Sequence, residues 1–247
     1  LTIERYANLA QSGAVDASQG RDWTIEHTVI RYNHGTGLRI GDGLQVRSTQ
    51  IHDNYQLGIG GIGRNVVVED SEIAANNVQF EHAWEGGGAK FVGTQNLVVR
   101  ANWVHDNRGP GLWTDTNNLD ALYEDNLTED NTVGIFHEIS YAAIIRNNTV
   151  RRNGTWTGLI WTSGAGILVA TSQNVEVYGN ALDCNAVGIL AAQQDRGNGA
   201  YGPYRVENLY VHDNTIRHCG AGVIAGLIQD VNDSTYFTAR NNRNHSL

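Results

Sequence analysis

The chain has no methionine, two prolines and two cysteines in 247 residues, and it has no long apolar run. A membrane-spanning helix needs about 20 consecutive apolar residues, so we expect no membrane partner. Two cysteines are too few for a disulfide framework. Lysine and arginine (17) are outnumbered by aspartate and glutamate (26), and the net charge is −9. This charge argues against a nucleic-acid partner, because a polyphosphate would be repelled.

Several signatures of known chemistry are also missing. The sequence contains no zinc-ligand spacing, no phosphate-binding loop, no nucleophile-elbow serine and no dinucleotide-binding fingerprint. The tripeptide His-Asp-Asn occurs at residues 52–54, 105–107 and 212–214. Its regular recurrence indicates a repeated structural element and not a metal site.

Glycine (29 residues) and asparagine are abundant instead, a mixture typical of tight turns. A pattern recurs in which an apolar residue precedes a polar marker by three positions, and a second apolar residue and then an asparagine follow the marker. The clearest copy is VRANWVHDN at residues 99–107, and the base period is about 22 residues. Short alternating runs predict strands, helical periodicity is absent, and this period predicts a parallel β-solenoid.

The repeat resembles that of the right-handed parallel β-helix proteins of the pectin-lyase-like superfamily. Their internal asparagine ladder is matched here by Asn102, Asn126, Asn148, Asn180 and Asn214. The resemblance implies an all-β fold, a carbohydrate substrate and a secreted or cell-surface location. We expect one domain of about ten coils over residues 1–247, with loop insertions near 78–87, 154–166 and 193–208. Cys184 and Cys219 fall on adjacent coils, either as a disulfide or as two buried thiols.

A second strand begins at a glycine after each marker, and alternation sends its side chains to opposite faces. The second position should face outward, and on neighbouring coils it reads Lys90, Trp113 and Phe136. The fourth position should also face outward, and its two charged members, Asp115 and Glu138, lie on adjacent coils. Like charges side by side destabilise a sheet, so their presence points to function. We expect a separation of about 5–5.5 Å, as in retaining glycoside hydrolysis, and one raised pKa.

Other candidates surround this pair. His137 is in an inward column, where it is either a satisfied core histidine or, if the strand bends, a groove residue. Glu85 is either a third site carboxylate or an ordinary loop acid, and Lys90 is a ligand clamp or the charge partner of Asp115. The insertions bring Trp84, Trp156 and Trp161 to either side of Trp113. These rings either form a platform that stacks on sugar rings, which we favour for Trp113, or anchor the loops on the helix. Tyr201 and Tyr204 would extend the groove.

We therefore predict an enzyme that cleaves a polysaccharide or oligosaccharide, with hydrolysis favoured because the visible chemistry is a carboxylate pair. The predicted catalytic residues are Asp115, Glu138, His137 and Glu85. The predicted substrate-binding residues are Lys90, Trp113, Phe136, Trp84, Trp156, Trp161 and His82.

Three alternatives remain open. A polysaccharide lyase acting on a uronate would need a base and a cationic group, and Lys90, His137 or Arg108 could serve. A glycan-binding or structural solenoid would need no catalysis. The stacked carboxylates could instead hold calcium. Apart from that ion we expect no metal and no cofactor, and we expect a monomer.

Overall fold

The computed structural model describes residues 1–78, 85–154, 164–217, 219 and 243–244. These residues form a right-handed parallel β-helix, as predicted, in which each coil adds one strand to each of three parallel sheets. Strands are numbered β1 to β28 in chain order. The described residues include no helix, and so none that could cross a membrane.

The three sheets are built as follows. The first sheet contains β1 (Thr2–Glu4), β4 (Val29–Arg31), β7 (Gln50–His52), β10 (Glu72–Ala74), β13 (Trp103–His105), β16 (Leu127–Glu129), β19 (Thr149–Arg151), β22 (Ala181–Asp183) and β27 (Thr215–Arg217). The second sheet contains β2 (Gly13–Asp16), β5 (Thr36–Ile40), β8 (Leu57–Gly61), β11 (Gly87–Val92), β14 (Pro110–Asp115), β17 (Val133–Glu138), β20 (Ala165–Ala170) and β23 (Val187–Ala192). The third sheet contains β3 (Thr24–Glu26), β6 (Gln45–Arg47), β9 (Val67–Glu69), β12 (Gln95–Arg100), β15 (Leu119–Glu124), β18 (Ala143–Arg146), β21 (Val175–Tyr178), β26 (Tyr210–His212) and β28 (Arg243–Asn244). A separate antiparallel hairpin pairs β24 (Asn198–Gly199) with β25 (Gly202–Pro203).

The core lies inside the solenoid, where alternate side chains of all three sheets meet. In the second sheet the predicted inward column is the first position after each glycine, and it is buried in the described coils from Leu38 to Ile189. The first coil differs, because Val15 and not Ala14 pairs with Leu38, and Ala14 is only half-buried. Because equivalent rows of a parallel sheet lie about 4.8 Å apart, this column is a continuous apolar stack. Outward side chains therefore also form columns, which place residues of neighbouring coils side by side.

Buried asparagines hold the turns together, and the predicted ladder is confirmed. The Nδ2 group of Asn102 donates to Oδ1 of Asn126 at 3.0 Å, and Asn126 Nδ2 donates to Asn148 Oδ1 at 2.9 Å. The same bonds continue through Asn180 to Asn214. A second ladder precedes the second sheet and consists of Asn33, Asn54, Asn76, Asn107, Asn131, Asn153 and Asn185. These amides satisfy backbone groups that the turns would otherwise leave unpaired.

Two smaller sequence questions are also answered. Cys184 and Cys219 form a disulfide, with their Cα atoms 4.8 Å apart. The His-Asp-Asn tripeptides are repeated turns, as interpreted. In each, the aspartate has a positive φ and its Oδ2 lies 2.7 Å from Nδ1 of the preceding histidine, in the pairs His52–Asp53, His105–Asp106 and His212–Asp213.

Candidate functional site

Asp115 and Glu138 are Cα partners at the carboxyl ends of β14 and β17. The column alignment predicts this pairing, and it places two carboxylates on neighbouring rows of the outer face. Each row continues into a tight turn in which the next residue has a positive φ, 61° at Thr116 and 35° at Ile139. A β-branched residue is rarely found in this conformation, so the surrounding structure must hold both turns in place.

The Asp115 carboxylate is bound to a buried cation. Its Oδ2 lies 2.9 Å from Nζ of Lys90, and its Oδ1 accepts a hydrogen bond of 3.0 Å from the Thr116 hydroxyl. Nζ of Lys90 also lies 2.6 Å from Oε1 of Glu85. The Lys90 side chain is only 4% exposed, so its charge is neutralised by two carboxylates. Of the two interpretations of Lys90, the structure shows the charge partner.

The Glu138 carboxylate has different partners. Its Oε2 accepts a hydrogen bond of 3.1 Å from the Trp113 indole, and its Oε1 accepts one of 2.9 Å from Arg196 Nη1. Burial raises the pKa of Glu138 above its ordinary value, and the negative charge of Asp115 adds to that rise. Arg196 and Lys90 oppose the rise without cancelling it. The two stacked carboxyl groups therefore differ in burial and in partner.

Arg196 belongs to the insertion near 193–208, and the sequence interpretation missed it. The insertion folds back over earlier coils, where the Tyr204 hydroxyl donates to Asn117 Oδ1 at 2.7 Å. The Tyr141 hydroxyl also donates to the Gly202 carbonyl at 2.8 Å. The only sequence signal for this segment is the long step of 34 residues between the markers at 180 and 214.

The two tyrosines of this insertion anchor it, where we expected them to extend the groove. Tyr204 is buried against Tyr141, with ring centroids 5.9 Å apart. Tyr201 meets the Tyr141 ring edge-on at 5.1 Å, and its hydroxyl oxygen accepts a hydrogen bond from Gln95. Both rings therefore serve to fix the segment that carries Arg196.

The prediction of an exposed sugar platform at Trp113 is wrong, and so is the prediction that Phe136 binds substrate, because both rings are covered. Their rings stack on each other, with centroids 5.3 Å apart and planes 7° apart. Nζ of Lys90 lies 3.9 Å from the Trp113 centroid, on the side of the preceding coil. Both faces of the indole are thus occupied, and the two side chains are 9% and 2% exposed. They point outward as predicted, but they form a second apolar cluster with residues such as Leu168 and Leu190.

Of the two interpretations of His137, the structure shows the core histidine, because its ring is completely buried inside the solenoid; the prediction of His137 as a catalytic residue is therefore wrong. Nε2 lies 2.8 Å from the Tyr141 carbonyl oxygen, and Nδ1 lies 2.7 Å from the Thr114 hydroxyl. A carbonyl only accepts, so the proton sits on Nε2 and Thr114 donates to Nδ1. Burial lowers the pKa of His137 to about 4, although the bond to Tyr141 opposes this. His137 is a neutral core histidine.

Four predicted substrate-binding residues lie outside the described residues: His82, Trp84, Trp156 and Trp161. Glu85 is described, and it lies at the site through its ion pair with Lys90.

An open groove of about 310 Å³ runs along the outer face of the second sheet, from β5 to β14. Arg39, Lys90, Glu85 and Asp115 line it. Gly60 lies between Arg39 and Lys90 in the outward column, so no side chain separates these two cations at that position. The groove is therefore an open depression that carries charges of both signs together with apolar side chains such as Leu57 and Ile62, and it ends at Asp115 and Thr116.

Within the described ranges, the one place where three potential metal ligands come together is at Asp183, Cys184 and Cys219, away from the groove, and its cysteines are joined in the disulfide. At the groove, Lys90 and Arg196 already supply positive charge to Asp115 and Glu138. Calcium at the carboxylate pair stays an alternative to which these ion pairs give no support.

Comparison with known proteins places this geometry in a wider context. The family described as "Right handed beta helix region" matches residues 13–182. No curated protein matches the sequence. Among solved structures, the complex of XylC with xylose has a TM-score of 0.70 at 16% identity, over 87% of this chain and 39% of that one. At such identities the likeness shows the fold alone.

Two further structures are similar over most of this chain. DFA-IIIase from Arthrobacter chlorophenolicus A6, in complex with GF2, has a TM-score of 0.53 at 14% identity, over 83% of this chain and 49% of that one. The A-module of the Azotobacter vinelandii mannuronan C-5 epimerase AlgE6 has a TM-score of 0.53 at 21% identity, over 86% and 56%. This chain therefore spans between 39% and 56% of these three structures.

Proposed function

The chain belongs to the right-handed β-helix family and has a pectin-lyase-like fold, and from this premise we propose that it is a glycoside hydrolase acting on a polysaccharide or oligosaccharide. The observation that supports the proposal is that Asp115 and Glu138 lie side by side, while their carboxyl groups have different hydrogen-bond and ion-pair partners. The Asp115 carboxylate lines a groove and is bound to Lys90, whereas the Glu138 carboxyl group is buried and has a raised pKa. Two carboxyl groups with separate environments are what acid–base cleavage of a glycoside needs.

The roles follow from these environments. Glu138 is the proton donor: it gives its proton to the leaving oxygen as the glycosidic C–O bond breaks. Asp115 is the nucleophile, and its oxygen bonds to the anomeric carbon. Water then displaces Asp115 and returns a proton to Glu138. Neighbouring rows lie about 4.8 Å apart, close to the carboxyl separation of about 5–5.5 Å typical of retaining enzymes.

The nature of similar structures supports a glycan substrate. One was solved with xylose, another with GF2, and a third is a mannuronan epimerase by name. The groove is open and combines charged with apolar side chains, which suits a sugar, because a sugar ring has both hydroxyl groups and apolar C–H faces. The disulfide suits an oxidising environment and so supports a secreted or cell-surface location.

A lyase finds less support in the geometry. Elimination from a uronate needs a cationic group that is available to neutralise the substrate carboxylate. The Lys90 charge is already shared between Glu85 and Asp115, and His137 is inside the core. Hydrolysis requires neither of them to contact substrate.

A glycan-panel digestion tests the proposal. Wild type, an Asp115→Asn/Glu138→Gln double variant and the control Asp42→Asn are incubated with xylan, mannuronan and pectin. Asp42 is a matched acid, because it is ion-paired with Arg64 outside the groove. We expect new reducing ends with wild type and control, and none with the double variant. Products that absorb as unsaturated sugars would indicate a lyase. Binding without any product would indicate a glycan-binding solenoid.

A further inference from the structure

The outer face of the second sheet is open on one side of the carboxylate pair and closed on the other. Toward the N-terminal coils, the groove extends over β11, β8 and β5. Toward the C-terminal coils, the outward positions next to Phe136 and Glu138 are apolar and buried. Leu168 and Leu190 are 0% and 2% exposed, and Ala170 and Ala192 are 1% and 0% exposed. In the described part of these two columns, which ends with Leu190 and Ala192, the outward side chains past Glu138 are all buried.

The closed end is reinforced by the insertion that carries Arg196. Its guanidinium reaches Oε1 of Glu138, and the segment is tied to the Asn117 turn by Tyr204. Glu138 itself is only 4% exposed. Glu138 and Arg196 thus form an end wall, and Asp115 is the last carboxylate that the groove exposes.

The part of the groove over β11, β8 and β5, here called the open arm, has room for more than one sugar ring. Three inter-strand steps separate the row of Arg39 from the row of Trp113 and Asp115, or about 14 Å. Arg39 lies at its far end, where Nη1 donates to the Gln11 carbonyl. Its Nε is shielded from the groove, so a ligand oxygen would be bound by the end of the Arg39 guanidinium, which lines the groove.

From this asymmetry we infer that the site accepts the end of a glycan chain and removes its terminal unit. The scissile bond lies over the Asp115–Glu138 pair, the terminal ring lies at the end wall, and the rest of the chain runs along the open arm toward Arg39. A chain cannot continue through the wall at Glu138 and Arg196, so internal bonds do not reach the pair. The inference rests on the proposed function for the cleavage step, but chain-end binding does not depend on cleavage.

A binding competition tests the chain-end preference in the whole protein. Xylan and mannuronan are each compared, at equal mass, with their own short oligosaccharides. Occupancy of a chain-end site depends on the concentration of chain ends. At equal mass the oligosaccharides supply more ends than the polymer, so they should compete more strongly, by the ratio of the two concentrations of ends. Equal competition at equal mass would overturn the inference, because a groove that is open at both ends binds internal sugar units as well as chain ends. The absence of binding to either form would overturn both the inference and the proposed function.

The products of any glycan that is cleaved give a second readout. We expect the smallest product from the first minutes and little loss of solution viscosity. A rapid viscosity fall with mixed oligosaccharides would contradict the inference and leave the hydrolase proposal standing. Stronger competition by the oligosaccharides without cleavage of any glycan would support the chain-end inference and contradict the hydrolase proposal.

Arg39→Gln tests the direction of the chain, with Arg31→Gln on the first sheet as its matched control. Arg31 is ion-paired with Glu4, away from the groove. We expect Arg39→Gln to weaken oligosaccharide binding roughly tenfold, as the loss of a hydrogen bond to a charged donor does, and to leave monosaccharide binding unchanged. Wild-type affinity for oligosaccharides in Arg39→Gln would overturn the placement of the chain along the open arm.

Discussion

Asp115 and Glu138 are paired across neighbouring strands, yet each carboxylate is bound to a different cation. Lys90 holds Asp115 from the preceding coil, and Arg196 holds Glu138 from an insertion that follows in sequence. The cations bracket the pair and offset the repulsion between the two carboxylates when both are ionised. This arrangement makes the two carboxyl groups chemically distinct, and the predictions below follow from it.

Removal of the Arg196 guanidinium should shift the pH dependence of activity. Arg196 lowers the pKa of Glu138, so Arg196→Gln should raise that pKa further. A general acid must be protonated, so the alkaline limb of the kcat/KM profile should move to higher pH. Arg205→Gln is the control, because Arg205 belongs to the same insertion but pairs with Glu207. A shift to lower pH would contradict the assignment of Glu138 as the acid.

Lys90→Met should destabilise the protein strongly. The substitution keeps an unbranched side chain of similar length but leaves Asp115 and Glu85 without their shared cation. Removal of one partner from a buried ion pair costs about 3 kcal/mol, and the free energy of unfolding in urea should fall by that amount. Arg64→Met, which breaks an exposed pair with Asp42, should cost less than about 1 kcal/mol. Equal losses in the two variants would mean that Lys90 is not a buried counter-ion.

His137 should make the fold sensitive to acid. Its pKa is about 4 in the folded state, below the ordinary 6.5, so the unfolded chain binds a proton more readily. Its stability contribution is present above pH 6.5 and is lost as pH falls from 6.5 toward 4, by up to roughly 3 kcal/mol. His137→Gln should be less sensitive than wild type in urea unfolding over this range. The exposed His27→Gln should behave as wild type, and an unchanged pH slope in His137→Gln would refute the account.

Much of the fold could be predicted because the coil repeats. A 22-residue period, alternation and stacked asparagines depend on local pattern, and the bonds from Asn102 to Asn148 follow it. The pairing of Asp115 with Glu138 follows from the same register. Alternation also placed His137 inside, and the bend that we allowed for does not occur.

The remaining features depend on contacts that no repeat encodes. Alternation indicates that Trp113 and Phe136 point outward, but it does not indicate whether other parts of the chain cover that face. Arg196 reaches Glu138 over 58 residues because its insertion docks on distant turns. Irregular segments of this kind add the partners that distinguish the two carboxylates, and their paths depend on tertiary packing.

The most direct test of the central claim is the kinetics of the single variants Asp115→Asn and Glu138→Gln on a glycan that wild type cleaves. Each should lower kcat/KM by at least about 100-fold, measured by reducing ends, with urea unfolding used to verify the fold. Undiminished turnover in folded Asp115→Asn or Glu138→Gln would contradict the claim that this carboxylate pair performs the cleavage.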